Sequence, residues 1–236
     1  MQEKYSGRIP GANLHYKDAV ELVTEGAAVV CLAVEQKVTA CTSRNVVARI
    51  EGTDKKDEIL TITAHYDSVP EGPGAYDNMS GAAIIMELCR YFQQYRPRRT
   101  MEFVWFGAEE KGLLGSRDYI RVHESELGAH RFNMNVDLAG QLIGGNVLGV
   151  TGEASVCDKL LEIADGAGIG ASVKNQIWGS DSNSFAWKGI PAMTLNRDGF
   201  GMHTRYDTID LLSAWSLERS AILLGCIADE LGNAEV

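Results

Sequence analysis

Two rhythms alternate along the chain: short continuous apolar runs of strand length, and longer stretches whose apolar positions recur at helical spacing. The clearest run is E-I-L-T-I-T-A at 58–64, aliphatic and β-branched, which with the charged turn T-D-K-K-D before it predicts a strand buried on both faces. Further strands are predicted at T-M-E-F-V-W-F (100–106), R-F-N-M-N-V-D-L-A-G (131–140), Val147–Val150, Ser172–Ile177 and I-P-A-M-T-L-N (190–196). Upstream, A-A-V-V-C-L-A-V-E (27–35) reads as a strand, and R-N-V-V-A-R-I-E-G (44–52) alternates as a half-exposed one that T-D-K-K-D would return antiparallel beside 58–64. Helical spacing predicts a short amphipathic helix around Ala19–Val23 and longer ones at Met79–Tyr95, Leu113–His123, Ala154–Ala164 and Leu211–Leu231, with a short one after Ser180. Such alternation points to a three-layer α/β sandwich, a class in which function collects at strand ends.

Composition narrows this picture. With 236 residues, 45% of them hydrophobic, a single large domain is expected rather than two. A net charge of -10 argues against nucleic acid or an anionic membrane as partner. No apolar run reaches the roughly 18 residues of a membrane span, and the polar start M-Q-E-K-Y-S-G-R lacks a signal-peptide core. The five cysteines, an odd number without a CxxC pair, read as buried free thiols and favour a cytoplasmic location. The sequence leaves oligomeric state open.

Chemistry enters where the predicted strands end. His65, Asp77, Glu109, Glu110, Asp137 and His203 are imidazoles and carboxylates at the ends of separate strands or in the loops that follow them. Each alone has a plainer reading, such as a helix-capping acid at Asp77 or a solvated turn at Glu109–Glu110. Brought to one sheet edge, these nitrogen and oxygen donors without thiolate suit zinc, manganese or cobalt, and their number suits two ions better than one. A bridging carboxylate with a water between the ions as nucleophile is the arrangement such a donor set supports. Glu109, adjacent to a ligating acid, is placed to take that water's proton. Asp67, two residues beyond His65, is placed to accept the imidazole's other N–H.

The same residues carry a family likeness. H-Y-D at 65–67, G-A-Y-D-N-M-S-G at 74–81, F-G-A-E-E-K-G-L-L-G-S at 106–116, N-V-D-L-A-G at 135–140 and H-T-R-Y-D-T at 203–208 resemble metallopeptidase family twenty-eight, the two-zinc aminopeptidases and their carboxypeptidase relatives. The resemblance implies a mixed, mostly parallel sheet with helices on both faces, of the zinc-exopeptidase (phosphorylase/hydrolase-like) kind. It implies two Zn²⁺ ions, replaceable by Co²⁺ or Mn²⁺, with Asp77 bridging, His65 and Asp137 completing one ion, Glu110 and His203 the other, and Glu109 as general base. A non-proline cis peptide at Asp77–Asn78 is implied too. Residues 9–22 resemble the tail of a protease-associated insert, so that 1–43 would hold its remnant within one catalytic domain, 1–236. Two departures stand out: Met202 precedes the last histidine where some members have tyrosine, and Ser180-Asp181-Ser182 replaces an S-D-H block, leaving Asp181 without an assigned ligand role.

The expectation is an exopeptidase acting on peptides, an aminopeptidase working through a metal-bridging hydroxide. Alternatives are a carboxypeptidase, for which Arg197 and Arg205 are the candidate carboxylate binders, a one-zinc glutaminyl-cyclase-like acyltransferase, and a metal-free binding scaffold. His15, His123 and His130 are expected to be surface or structural, and D-G-A-G-I-G at 165–170 a helix-ending turn. Asn78-Met79-Ser80 matches the glycosylation pattern but lies inside the proposed site.

Overall fold

Buried on both faces, the run from Ile59 to His65 lies at the heart of a seven-stranded sheet in the computed structural model. The structure describes residues 14–31, 33, 37, 39–176 and 179–235. They belong to two units, Met1–Thr42 and Ser43–Val236. In the first, α1 (Tyr16–Thr24) starts at His15, whose Nδ1 accepts the Lys17 backbone N–H at 3.3 Å. The strand expected at 27–35 is not formed at its described positions, 27–31 and 33; Val29 and Val30 are exposed, and an apolar run with no neighbouring strand to pair with has no ladder to join. Its other positions, and the first part, 9–13, of the stretch that resembles a protease-associated insert, lie outside the described residues.

The second unit alternates as its patterning predicts. In chain order it contains β1 (Val46–Ile50), β2 (Lys55–His65), α2 (Ser80–Gln94), β3 (Arg99–Phe106), α3 (Leu114–Val122), β4 (His130–Val136), β5 (Asn146–Thr151), α4 (Ala154–Gly166), β6 (Ala171–Asn175), α5 (Ser182–Ala186), β7 (Ala192–Arg197) and α6 (Ala214–Asn233). The sheet order is β1-β3-β2-β4-β7-β5-β6. Strands β3, β2, β4 and β7 run parallel, β1 is antiparallel to β3, and β5 is antiparallel to β7. The sheet is thus mixed and mostly parallel.

One pairing differs from expectation. β1 is antiparallel and at an edge, but it pairs with β3, from Val46↔Trp105 to Ile50↔Met101, and not with β2. A strand as apolar as β2 is buried only with a neighbour on each side, and β3 and β4 supply them. The chain leaving β1 crosses the start of β3 at Gly52, where a Cβ would come within 2.3 Å of the Arg98 carbonyl oxygen. Three residues of the expected turn, Lys55, Lys56 and Asp57, already belong to β2.

The sheet separates two cores. On one face Ile84, Ile85, Leu88 and Phe92 of α2, Leu160 and Ala164 of α4 and Leu223, Leu224 and Ile227 of α6 pack on Leu60, Ile62, Met134, Leu148 and Leu195. On the other, Tyr119 and Ile120 of α3 and Phe185 of α5 cover Val104 and Phe106. This gives the three-layer α/β sandwich. Beneath α5 the second face is polar: Thr63 Oγ1 donates to Asn135 Oδ1 (2.8 Å) and Asn135 Nδ2 to Ser180 Oγ (2.8 Å), all buried. Glycine-terminated α4 ends as expected, with Gly168 at φ 64°. All five cysteines are free, but Cys31 and Cys41 are exposed, contrary to the expectation of burial. No helix among the described residues is long and apolar enough to cross a membrane.

Phe92 has no exposed surface and joins α2 to the sheet by stacking near Phe103, with ring centroids 6.5 Å apart. Phe92→Ala is expected to cost about 3–5 kcal/mol, read as a lower urea midpoint at unchanged m-value.

Candidate metal centre

β2 is flanked by β3 on one side and β4 on the other, while α2 and α3 lie on opposite faces. The loops leaving β2 therefore diverge from those leaving β3, and the carboxyl ends of the parallel strands between them are where open α/β sheets form a ligand crevice. Four chain exits meet there. His65 is the last residue of β2, Asp137 follows β4, Glu109 and Glu110 follow β3, and His203 lies beyond β7. Asp137, expected within a strand, sits just past its end. Asp77 lies between β2 and α2 in the turn Ala75–Met79, where the Asp77–Asn78 peptide is cis, as the family likeness implies.

The exits turn sharply. Among the described residues four non-glycines have positive φ, namely Ala108 (60°), Leu113 (59°), Leu138 (68°) and His203 (58°). Three of them precede, follow or are a site residue. Left-handed backbone at a residue with a Cβ is strained, and here it aims the side chains of the exits into the crevice.

His65 is 1% exposed, and its Nδ1 donates to the Asp67 carbonyl at 3.1 Å, which leaves Nε2 facing the acids. Nε2 lies 3.2 Å from Asp77 Oδ1 and 3.4 Å from Asp137 Oδ1. On the other side, His203 Nε2 lies 3.0 Å from Asp77 Oδ2 and 3.2 Å from Glu110 Oε2. The two oxygens of Asp77 therefore face two different sets of donors. His65, Asp77 and Asp137 form one group whose ligand atoms converge, Asp77, Glu110 and His203 a second, and His65, Glu109 and Glu110 a third. All seven residues singled out from the sequence are at this edge.

Asp67 has a second role besides the one its spacing suggested. Its Oδ1 is 3.6 Å from His65 Nδ1, a looser approach than that of its own carbonyl. The carboxylate also accepts the backbone N–H groups of Glu109 (3.0 Å) and Glu110 (3.2 Å), so it pins the turn that carries both acids. Burial opposes its charge, but the His65 ring and these two N–H donors outweigh burial and hold it below the usual carboxylate range.

Charge is crowded here. Burial, reinforced by Asp137, Asp181 and Glu110 and opposed by His65, pushes Glu109 up to about 8. Burial and Asp77 also raise Glu110. For His65 burial disfavours the charged ring, yet hydrogen bonding with Asp137, Asp67 and Asp77 prevails and raises its proton affinity well above normal. Sequence reasoning gave no role to Asp181, but its carboxyl is fully buried, has no close hydrogen-bond partner on either oxygen, and is pushed up to about 7, chiefly by burial. Glu110 Oε1 is likewise buried without a partner. Orphaned oxygens beside convergent carboxylates and imidazoles, with no sulfur among them, fit a divalent cation such as zinc.

The remaining candidates are accounted for elsewhere. Arg197 is buried and committed, donating to the carbonyls of Gln141 (2.5 Å) and Leu142 (3.1 Å) and to Asn146 Oδ1 (3.0 Å). Arg205 is exposed and stacks over Tyr206. His130 is buried with Nδ1 2.7 Å from Thr61 Oγ1, and His123 stacks on Tyr119. Met202 is partly exposed beside His203. Asn78 is fully buried, its amide donating to the Val136 carbonyl, so the glycosylation pattern there is inaccessible.

Comparison with known proteins places this geometry. The model of Peptidase family M28 matches residues 45–225. Aminopeptidase YwaD of Bacillus subtilis is 29% identical over 208 residues, 87% of this chain and 42% of that protein. Leucine aminopeptidase 2 of Arthroderma otae is 30% identical over 188 residues, 75% of this chain and 38% of that protein. BSAP, a zinc aminopeptidase from Bacillus subtilis, superposes with a TM-score of 0.74 at 28% identity, covering 81% of this chain and 50% of that one. The chain thus spans about two fifths of the length of these curated relatives.

Asp181 and Glu109 both hold protons more tightly in the folded chain than in the unfolded one, where carboxyls titrate near their ordinary 3.8 and 4.5. Stability from such groups is complete below those ordinary values and is lost as pH rises toward the folded ones. In chelator, the melting temperature of the wild type relative to Asp181→Asn should therefore fall as pH rises from about 4 to about 7. Thermal melts across that window check it, and a difference that is flat or rises contradicts it.

Proposed function

The chain belongs to peptidase family M28, and on that footing we propose that it is the catalytic part of a two-zinc aminopeptidase that removes the N-terminal residue of peptides. The observation that carries this reading is the division of Asp77, Oδ1 toward His65 and Asp137 and Oδ2 toward His203 and Glu110. One carboxylate shared between two complete donor sets is what a two-ion centre requires. Zinc aminopeptidase activity in the related BSAP supports the choice of ion and reaction.

In this reading His65 and Asp137 would hold one zinc, Glu110 and His203 the other, and Asp77 would serve both. Bound zinc supplies Lewis acidity, polarising the scissile carbonyl and making water more acidic. Glu109 converges with His65 and Glu110 and is pushed up to about 8, which suits a group that takes a proton from attacking water at Oε and returns it to the leaving amine. Asp67 keeps Glu109 in place through its backbone N–H. The acids lining the crevice favour a substrate's α-ammonium. A carboxypeptidase needs a free guanidinium or ammonium for the opposite terminus, and the donors of Arg197 are already spent inside the fold.

Chelation is expected to abolish hydrolysis of aminoacyl substrates, with Zn²⁺ or Co²⁺ restoring it. Peptides blocked at the C-terminus should be cleaved and N-acetylated ones should not; the reverse preference rules out the aminopeptidase. Glu109→Gln should keep its zinc and lose about 10²–10⁴-fold in kcat. Asp77→Ala should release both ions, and elemental analysis finding two per chain in that variant contradicts the shared-ligand assignment.

A further inference from the structure

Asp207 lies four residues beyond His203, is 1% exposed, and is not itself one of the convergent donors. Its Oδ1 accepts the backbone N–H of Tyr76 at 2.6 Å and its Oδ2 that of Asp77 at 3.0 Å. Its own carbonyl accepts the Ala75 N–H at 3.3 Å, and its N–H donates to the Thr204 carbonyl at 3.1 Å. Three consecutive amides of the turn bearing Asp77 are thus gripped by one residue of the loop bearing His203. The two loops are also in direct contact, since a Cβ on Gly72 would fall 2.3 Å from the Thr204 carbonyl oxygen. Tyr76, fully buried, adds a third tie by donating its hydroxyl to the Arg197 carbonyl at the end of β7.

We propose that Asp207 is a positioning residue that fixes the backbone of Asp77 so that each of its oxygens meets a different donor set, and that it thereby sets the affinity of both ions at once. This rests on the reading of Asp77 as the shared ligand. The chemistry of the clamp demands a carboxylate. Two separate N–H donors point at two side-chain oxygens, and an asparagine would turn an NH₂ toward one of them, replacing an acceptor with a clash of donors. A residue that merely ordered its own loop would influence His203, hence one ion; a residue that holds Asp77 influences both.

The experiment is zinc titration of wild type and Asp207→Asn against a competing chromophoric chelator, resolving two binding steps, with urea unfolding of the metal-free proteins in parallel. The expected result is a loss of about 10–100-fold in affinity at both steps with the metal-free unfolding midpoint close to that of wild type. Weakening at one step alone, or wild-type affinity at both, overturns the proposal. So does a metal-free Asp207→Asn chain that fails to fold, because the clamp would then serve the fold and not the shared ligand. A wild-type chain that takes up no zinc sinks the two-zinc reading itself, and this proposal with it; unchanged affinity in the variant sinks the proposal alone.

Discussion

Repulsion among acids is the constraint around which this protein is built. Asp77, Asp137, Glu109 and Glu110 converge at one sheet edge, with Asp67 and Asp181 close enough to perturb them. Two unit charges 4 Å apart repel by about 4 kcal/mol at an effective dielectric of about 20. A whole domain is stable by only about 5–15 kcal/mol, so a few such pairs left uncompensated equal the entire margin. The raised proton affinities of Glu109, Glu110 and Asp181 come first from burial, and the neighbouring acids add to it.

Compensation comes from the backbone as much as from imidazoles. Asp67 takes the amides of Glu109 and Glu110, and Asp207 those of Tyr76 and Asp77. Asn78 ties the same region to β4, accepting the Leu138 N–H at 3.3 Å and donating to the Val136 carbonyl at 2.8 Å. Each of these side chains joins two different exits of the sheet. The parallel strands beneath are themselves stitched by the buried Thr63–Asn135–Ser180 chain, which holds the ends of β2 and β4 in register just below His65 and Asp137. The acids are thus held near one another by a rigid frame.

What was legible in the sequence followed what is local. The apolar run before His65 dictated a central strand, and acids or histidines just beyond such runs had to emerge at one edge. Sheet order is not local: β1 and β2 adjoin in sequence, and nothing in their spacing reveals that β3 comes between them. The offset of Asp67 from His65 pointed to the imidazole, but not to the amides it also serves, which arrive 42 and 43 residues later. Asp207 was visible only as the penultimate letter of H-T-R-Y-D-T, because its partners lie 130 and 131 residues upstream. Asp181 carried a signal, the S-D pair, but its burial depends on α5 closing over polar strand faces that read as ordinary Thr and Asn.

Sheet order also bears on synthesis at the ribosome. β7 is the last strand in the chain yet lies between β4 and β5, so β5 and β6, although made earlier, have no place in the sheet until β7 has arrived. His203 follows β7 by only a few residues. Domains are completed from the N-terminus at about 5–20 residues per second, and a nascent chain that has not yet emerged past residue 203 lacks both the strand that closes the sheet and the last donor of the second group. Closure of the fold and completion of the centre therefore fall in the same short interval, and a chain interrupted before it carries an incomplete donor set.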